Sequence, residues 1–472
     1  MPPDADPEVA EQPESELKRS ITGRLLFFYV LGDVLGSGIY VLIGLVAAAV
    51  GGAFWIAFAA GVTVAIITGL AYAELVTKYP QAAGAALYVN RAFRSPLLTF
   101  VITICMLSAV FSAAGSLATG FAQYFQQIFE SSPTLLVTLL FVVALTIVNY
   151  IGITESVVIN MLMTFVELGG LVIVLLIGII HVARGDADFG VLTDFKAEGN
   201  PIFAIVAGVA LAFFAMTGFE NAANVAEETV NPSVTFPRAL VGGMVGAGVI
   251  YVLVAMTAAL VVPLDVLGGS DAALLEVVRA GVLPVPVGVM VIVFAIIAMV
   301  AITNTTLVSV VTQSRILYGM AREGGFPHVF TRIHRTRRSP WVALVFAGLV
   351  VASLLIAGAL VSLADPSTDI VARLATVTVV FTLFIYGLVI VSALKLRGTD
   401  ERPDTFRANT ALLCVGILGN AVLLVYVVTD DPGALTWVAG LLGLGLALYL
   451  VARVTNRGGS SLKDTGSLAE ES

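Results

Sequence analysis

Between Leu25 and Val50 the chain is almost wholly apolar, yet it carries Gly32-Asp33-Val34-Leu35-Gly36-Ser37-Gly38-Ile39-Tyr40 in its middle. The run is long enough to cross a bilayer, which takes about 20 residues. Gly36, Ser37 and Gly38 are poor helix formers placed in succession. A helix interrupted at mid-depth leaves backbone N–H and C=O groups unsatisfied. That is tolerated only where the broken segment is buried in protein or lines a wet cavity. The stretch therefore reads either as a helix that stops and restarts, offering its backbone dipoles to a ligand, or as a small-residue packing face.

Eleven further apolar runs come after it. The twelve expected spans lie near 25–50, 53–72, 97–120, 134–151, 158–181, 202–222, 238–262, 284–310, 342–360, 370–395, 411–428 and 434–453. Only 12% of residues are charged and the mean hydropathy is +1.00, against about 25% charged in soluble domains. The fold class is all-α and integral to the membrane. With the N-terminus inside, twenty of the 24 lysines and arginines fall on the cytoplasmic side, leaving Arg184, Lys196, Arg279 and Arg373 outside. This positive-inside bias supports both the count and an orientation with both termini cytoplasmic. The expected organisation is a tail over 1–24, a core over 25–395 built from repeats near 25–181 and 202–395, two added spans over 396–456, and a tail over 457–472.

Other features are read more plainly. No cleavable signal peptide is visible, nothing suggests nucleic-acid binding, and His181, His328 and His334 lack metal-type spacing. Cys105 and Cys414 read as unpaired core residues. The acidic outer loops read as ordinary solvated charge. Residues 73–94 look too polar to span and are expected to lie along the inner surface. Residues 312–340 read as a basic cytoplasmic loop, in which Arg315 and Arg322 either anchor to headgroups or lock an inner gate.

The sixth span is also irregular. Phe213-Phe214-Ala215-Met216-Thr217-Gly218-Phe219-Glu220-Asn221 ends an apolar run, and Asn224, Glu227, Glu228 and Asn231-Pro232 come next. Gly38 and Gly218 are 180 residues apart, each in the first span of a five-span block. Paired interruptions of this kind point to an inverted repeat with the binding site at its interface.

Three carboxylates lie within the spans: Asp33, Glu167 and Glu220. A carboxylate at a helix centre costs about 2.5–3.5 kcal/mol on insertion scales, and no lysine or arginine lies at comparable depth in the sequence. Glu167, in span five, is the deepest. It is either a coupling group, donating to an unwound carbonyl of span one when protonated, or a permanently neutral core residue. Glu220 is either a cap or gate contact or a partner for a substrate ammonium. Asp33 either braces the inner half of span one or shares in ion coupling.

These motifs resemble the amino acid–polyamine–organocation superfamily. Gly36-Ser37-Gly38-Ile39-Tyr40 is similar to its first-helix motif, and Glu74 with Pro80-x-x-x-Gly84 and Tyr88 to its second-helix and inner-loop pattern. Gly218-Phe219-Glu220 with Glu227-Glu228-x-x-Asn231-Pro232 resembles its sixth-helix motif. Arg315-x-Leu317-Tyr318-x-Met320-Ala321-Arg322 with Pro327 resembles the end of its eighth. The resemblance covers about 24–456 and is nearest to bacterial and archaeal relatives of cationic amino acid transporters.

The resemblance implies the leucine-transporter fold, 5+5 inverted repeats plus two spans with helices 1 and 6 discontinuous, working by alternating access without enzymatic chemistry or cofactor. It implies that Gly36, Ser37, Gly38 and Ile39 hold a substrate carboxylate on their amides, that carbonyls of Phe213 to Met216 take the ammonium, and that Thr217, Gly218, Phe219 and Glu220 line the pocket. Several proton-coupled relatives carry a lysine where Glu167 stands. An ionised Glu167 would instead ligate sodium with Asn304 and Thr305. The expected function is secondary active transport of an amino acid across the cell membrane, by proton symport or with sodium. Polyamine or amine transport, amino acid exchange, and a non-transporting amino acid sensor are the alternatives. A major-facilitator transporter would divide six plus six around a long basic middle loop, whereas here the 223–237 connection is short and acidic.

Overall fold

The computed structural model describes residues 21–80, 84–151, 157–196, 200–226, 228–322, 324–334, 339–366, 368–399 and 405–455. Most of the two expected tails, with Ala83, Glu227, Arg335, Arg337, Arg338 and Arg402, lies outside the described residues. The described chain is helical. Its one isolated bridge joins Ile21 to Thr229.

Sixteen α-helices succeed one another: α1 (Gly23–Leu35), α2 (Gly38–Val50), α3 (Trp55–Lys78), α4 (Gly84–Phe93), α5 (Pro96–Gln126), α6 (Thr134–Ile151), α7 (Val157–Ala183), α8 (Pro201–Ala215), α9 (Pro232–Val261), α10 (Leu264–Gly269), α11 (Ala273–Arg279), α12 (Val287–Arg322), α13 (Trp341–Ala364), α14 (Ile370–Lys395), α15 (Thr410–Asp430) and α16 (Pro432–Thr455). Eleven helical stretches are long and apolar enough to span a membrane, and α1 with α2 supplies the twelfth as a pair bent by 43°. Helix starts carry the capping chemistry their sequences promise. Ser95 caps α5 ahead of Pro96, Asn200 caps α8 ahead of Pro201, and Asp369 and Asn409 cap α14 and α15.

Burial ranks the spans. In α14, 72% of the most apolar stretch is enclosed, against 17% in α16. α14 is therefore a core helix packed between α3, α5 and α8, and α16 is peripheral. Exposed leucines and valines, such as Leu140, Leu349 and Leu418, mark the lipid-facing surfaces.

Several boundaries differ from the sequence reading, each for a visible reason. α3 runs on to Lys78 because Glu74, Thr77 and Lys78 all find partners on the α14–α15 connection. α12 continues through the segment expected as a loop: Gln313, buried, donates to the carbonyl of Val110. α4 does not simply lie on the surface. Its Tyr88 is fully buried, edge-on to Tyr72, and the helix packs on α5 and α14. Cys105 is buried as expected, but Cys414 is exposed, on a lipid-facing side of α15. The short helices α10 and α11 have no counterpart in the sequence reading. They press on α2 through Gly44, where an added Cβ would stand 2.9 Å from that of Ala273.

Candidate functional site: two crossed helix breaks

The first break falls between Leu35 and Gly38. Its freed groups are satisfied from other helices. The Ser37 N–H donates to Thr305 Oγ1 of α12 at 3.2 Å, and the Val34 carbonyl accepts from the Tyr251 hydroxyl of α9 at 2.5 Å. Position 36 is glycine because a Cβ there would lie 2.6 Å from Thr305 Oγ1.

The second break comes after Ala215. Met216 and Thr217 turn back on the carbonyls of Phe213 and Phe214, and the Thr217 hydroxyl also donates to Phe214 at 2.7 Å. Gly218 then adopts φ +117°, a conformation favouring glycine. The chain continues as a 3₁₀ helix over Phe219–Val225, so this span does not resume as an α-helix.

The two breaks cross. A Cβ on Gly38 would lie 2.5 Å from the Cα of Ala215, and one on Gly218 would lie 2.8 Å from the carbonyl oxygen of Asp33. The start of α2 thus sits on the end of α8, and the end of α1 on the turn at Gly218. Tyr251, fully buried, joins them, since its hydroxyl is 2.5 Å from the Val34 carbonyl and 3.3 Å from that of Ala215. Tyr251→Phe removes the donor from two mid-depth carbonyls. An unsatisfied buried group costs about 1–3 kcal/mol, so this variant is expected to unfold at lower temperature in a thermal scan and to take up cargo more slowly.

The carboxylates surround the crossing. Glu167 is fully buried; Asn304 Nδ2 donates to its Oε1 at 3.1 Å, while Oε2 has no hydrogen-bond partner. The expected bond from its carboxyl to an unwound carbonyl of span one is absent. Instead the Glu167 backbone carbonyl accepts from the Tyr40 hydroxyl of α2 at 2.6 Å, and the Tyr40 carbonyl accepts from Tyr124 at 2.9 Å. Of the two span-eight residues expected beside Glu167, Asn304 meets it and Thr305 serves Ser37. Asp33 and Glu220 flank Gly218. The Glu220 Oε2 accepts from the Gly218 N–H at 2.8 Å and from the Tyr386 hydroxyl of α14 at 2.6 Å. Asn221 bonds to Asp33, whose second oxygen is buried without a hydrogen bond.

The remaining candidates divide by role. The Ser37 hydroxyl is buried without a protein partner, as is that of Ser112 on α5. Ile39, Phe213, Met216 and Phe219 are packed in. The Phe219 ring stands 5.6 Å from Tyr72 and 5.2 Å from Tyr386, and Phe213 stands 5.9 Å from Tyr386. This aromatic cluster closes the crossing on the side of α3 and α14.

Residues 23–451 match the sequence pattern of a family described as amino acid permease. The chain belongs to the amino acid permease family. The permease is 27% identical to the branched-chain amino acid permease BcaP of Bacillus subtilis, over 93% of this chain and 94% of that one. It is 26% identical to cationic amino acid transporter 5 of Arabidopsis thaliana (87% and 71% covered), and 23% identical to the methylthioribose transporter of Bacillus subtilis (73% and 76%). Its backbone matches that of a manganese transporter of Eremococcus coleocola with a TM-score of 0.62 at 12% identity, covering 95% of this chain and 98% of that one. At that identity the likeness concerns the fold alone, which is the leucine-transporter fold with helices 1 and 6 broken. The permease is a multi-pass membrane protein of the amino acid–polyamine–organocation superfamily. It is a transporter of amino acids or related substrates, and its relatives are transporters, not enzymes.

Sequence reasoning missed two residues that bond to the crossing, Tyr251 and Tyr386. A signal existed for each: a tyrosine inside a long apolar run must find an acceptor for its hydroxyl where no water is present.

Proposed function

We propose that the permease is a proton-coupled amino acid symporter of the cell membrane, with both termini cytoplasmic, working by alternating access about the crossed breaks. The observation that carries this reading is the pair of breaks meeting at mid-chain glycines beside a fully buried, half-satisfied carboxyl, Glu167. The first N–H groups of α2 have no intrahelical partner and form the positive end of its half-helix dipole. Since Thr305 occupies the Ser37 N–H, those of Gly38 and Ile39 receive the cargo carboxylate. Carbonyls at the end of α8 receive its ammonium, beside Thr217 and Glu220. Glu167 loads and releases the coupled proton, as its position between α2 and α12 suits. A carboxyl deep in a membrane protein with no ion pair is the usual mark of such a relay.

The test is uptake of radiolabelled amino acids by proteoliposomes under an imposed pH gradient. Uptake is expected to rise with inward proton drive. Glu167→Gln is expected to leave binding measurable while removing that dependence. Uptake that stays pH-dependent in Glu167→Gln would take the residue out of coupling, and folded protein that moves no amino acid would end the reading. A second reading, a cargo carrying an additional amine, is favoured by Asp33 and Glu220 flanking Gly218. Competition of uptake by a diamine tests it.

A further inference from the structure

One stretch of α7 lies against both halves of the first broken span. Thr164 presses on α1 at Gly32, where its side chain leaves no room for a Cβ. Three residues on, the carbonyl of Glu167 accepts from the hydroxyl of Tyr40, in the first turn of α2, at 2.6 Å. Three residues further, Gly170 clears the way for this bond. A Cβ there would stand 2.6 Å from the Tyr40 hydroxyl and 2.6 Å from Ile297 Cγ2. Tyr40 is buried, and its ring lies 6.0 Å from that of Phe294 on α12. Its own carbonyl accepts from the Tyr124 hydroxyl of α5 at 2.9 Å. The side chain is held on several sides, so its hydroxyl moves with the first turn of α2.

The bond is not needed to complete α7. That helix runs unbroken from Val157 to Ala183, so the Glu167 carbonyl keeps its intrahelical partner and takes the tyrosine hydrogen on its second lone pair. What the hydroxyl adds is a link between two places. Tyr40 directly follows Gly38 and Ile39, whose amides receive the cargo carboxylate on the reading above. It ends on the residue that carries the half-satisfied carboxyl. Asp33 of α1, Tyr40 of α2 and Tyr251 of α9 are the titratable groups near enough to act on Glu167, and Asn304 of α12 is its hydrogen-bond donor. Of these four, Tyr40 is the one on the helix whose amides meet the cargo. In a close-packed interior, a shift of one element is passed to those it touches.

We propose that Tyr40 is a positioning residue that ties cargo binding on α2 to proton loading at Glu167. Cargo settling on the Gly38 and Ile39 amides draws on the first turn of α2, and the Tyr40 hydroxyl carries that displacement to the stretch of α7 bearing the carboxyl. The inference rests on the proton-coupled reading of Glu167 given above. Tyr40→Phe tests it, because it keeps the ring against Phe294 and removes the hydroxyl alone. Gly170→Ala with Ile297→Ala reaches the same bond from the other side: the second change clears Ile297 Cγ2 and leaves the new methyl against the hydroxyl. Proteoliposomes given a radiolabelled mixture of L-leucine and L-arginine report two quantities, accumulation under an inward proton gradient and exchange at equal pH on both sides.

Both variants are expected to lose about fivefold or more of the gradient-driven accumulation, the lower end of coupling between two sites, while exchange stays near the parental rate. Tyr88→Phe removes a buried hydroxyl that has no hydrogen-bond partner, and is expected to keep both quantities. Parental accumulation in either folded variant overturns the proposal. So does a loss of exchange in step with accumulation, which would make Tyr40 a structural residue. If Glu167→Gln loses the gradient dependence and Tyr40→Phe keeps it, the link through Tyr40 falls and Glu167 keeps its place. If Glu167→Gln retains the dependence, both fall. Parent vesicles that move neither amino acid overturn the transport reading as well.

Discussion

Gly38→Ala is expected to abolish uptake, and Gly169→Ala to leave it at the parental rate. Both changes add one methyl group to a glycine in a membrane span, so any difference comes from surroundings. At Gly38 the new carbon would lie 2.5 Å from the Cα and 2.8 Å from the Cβ of Ala215. Those atoms belong to the last turn of α8, not to the end of a long side chain that can swing aside. Accommodating the methyl requires α2 and α8 to part at the crossing. Overpacking of this kind costs about 1–3 kcal/mol, occasionally more, and the displacement falls on the backbone groups that would grip the cargo. At Gly169, on the same helix as Glu167, nothing lies within 4 Å of the added carbon. Initial uptake rates in proteoliposomes, normalised to folded protein by size-exclusion profile, check the pair. Parental uptake by Gly38→Ala would remove the crossing from the mechanism.

The second large effect is on stability. Arg397→Ala is expected to cost about 3–5 kcal/mol, because removing one partner of a buried ion pair leaves the other charge stranded. Glu74 would keep the Ala408 N–H and lose both guanidinium contacts. The double change Glu74→Leu with Arg397→Leu is expected to lose less than Arg397→Ala alone. Well-packed apolar residues in place of both charges are often neutral, although here the Ala408 N–H is left without its acceptor at about 1–3 kcal/mol. Denaturation of the purified protein in detergent, monitored by tryptophan fluorescence, measures the order. A double variant less stable than the single one would mean that the charges themselves, and not their pairing, hold this face together.

Hydropathy alone displays the spans, because a helix facing lipid has no other way to be written. The first break is legible for a related reason: Gly36-Ser37-Gly38 has no business inside a transmembrane helix unless the helix stops there. The second is signalled by Gly218, but nothing in its neighbours announces that Phe219 to Val225 wind as 3₁₀. Sequence order hides partnership across distance. Glu74, Thr77 and Lys78 look like the start of a loop until Arg397, Phe406 and Leu396 are seen to meet them, more than 300 residues later. Gln313 misleads in the same way, since its acceptor is Val110. Glu167 stands out as a buried acid in any reading, but Asn304 and the Tyr40 contact come from helices that only the packing brings near. Cys414 shows the limit of hydropathy itself, which says that a residue is in the membrane and not which way it faces.

Tyr251 has one hydroxyl hydrogen and two carbonyls within reach, those of Val34 and Ala215. A lone hydrogen can serve a single acceptor fully at any instant. On the reading proposed above, a cargo ammonium settling on the Ala215 carbonyl would leave the hydrogen to Val34, and its departure would restore the choice. The two broken helices would then be coupled by the turning of a single O–H bond.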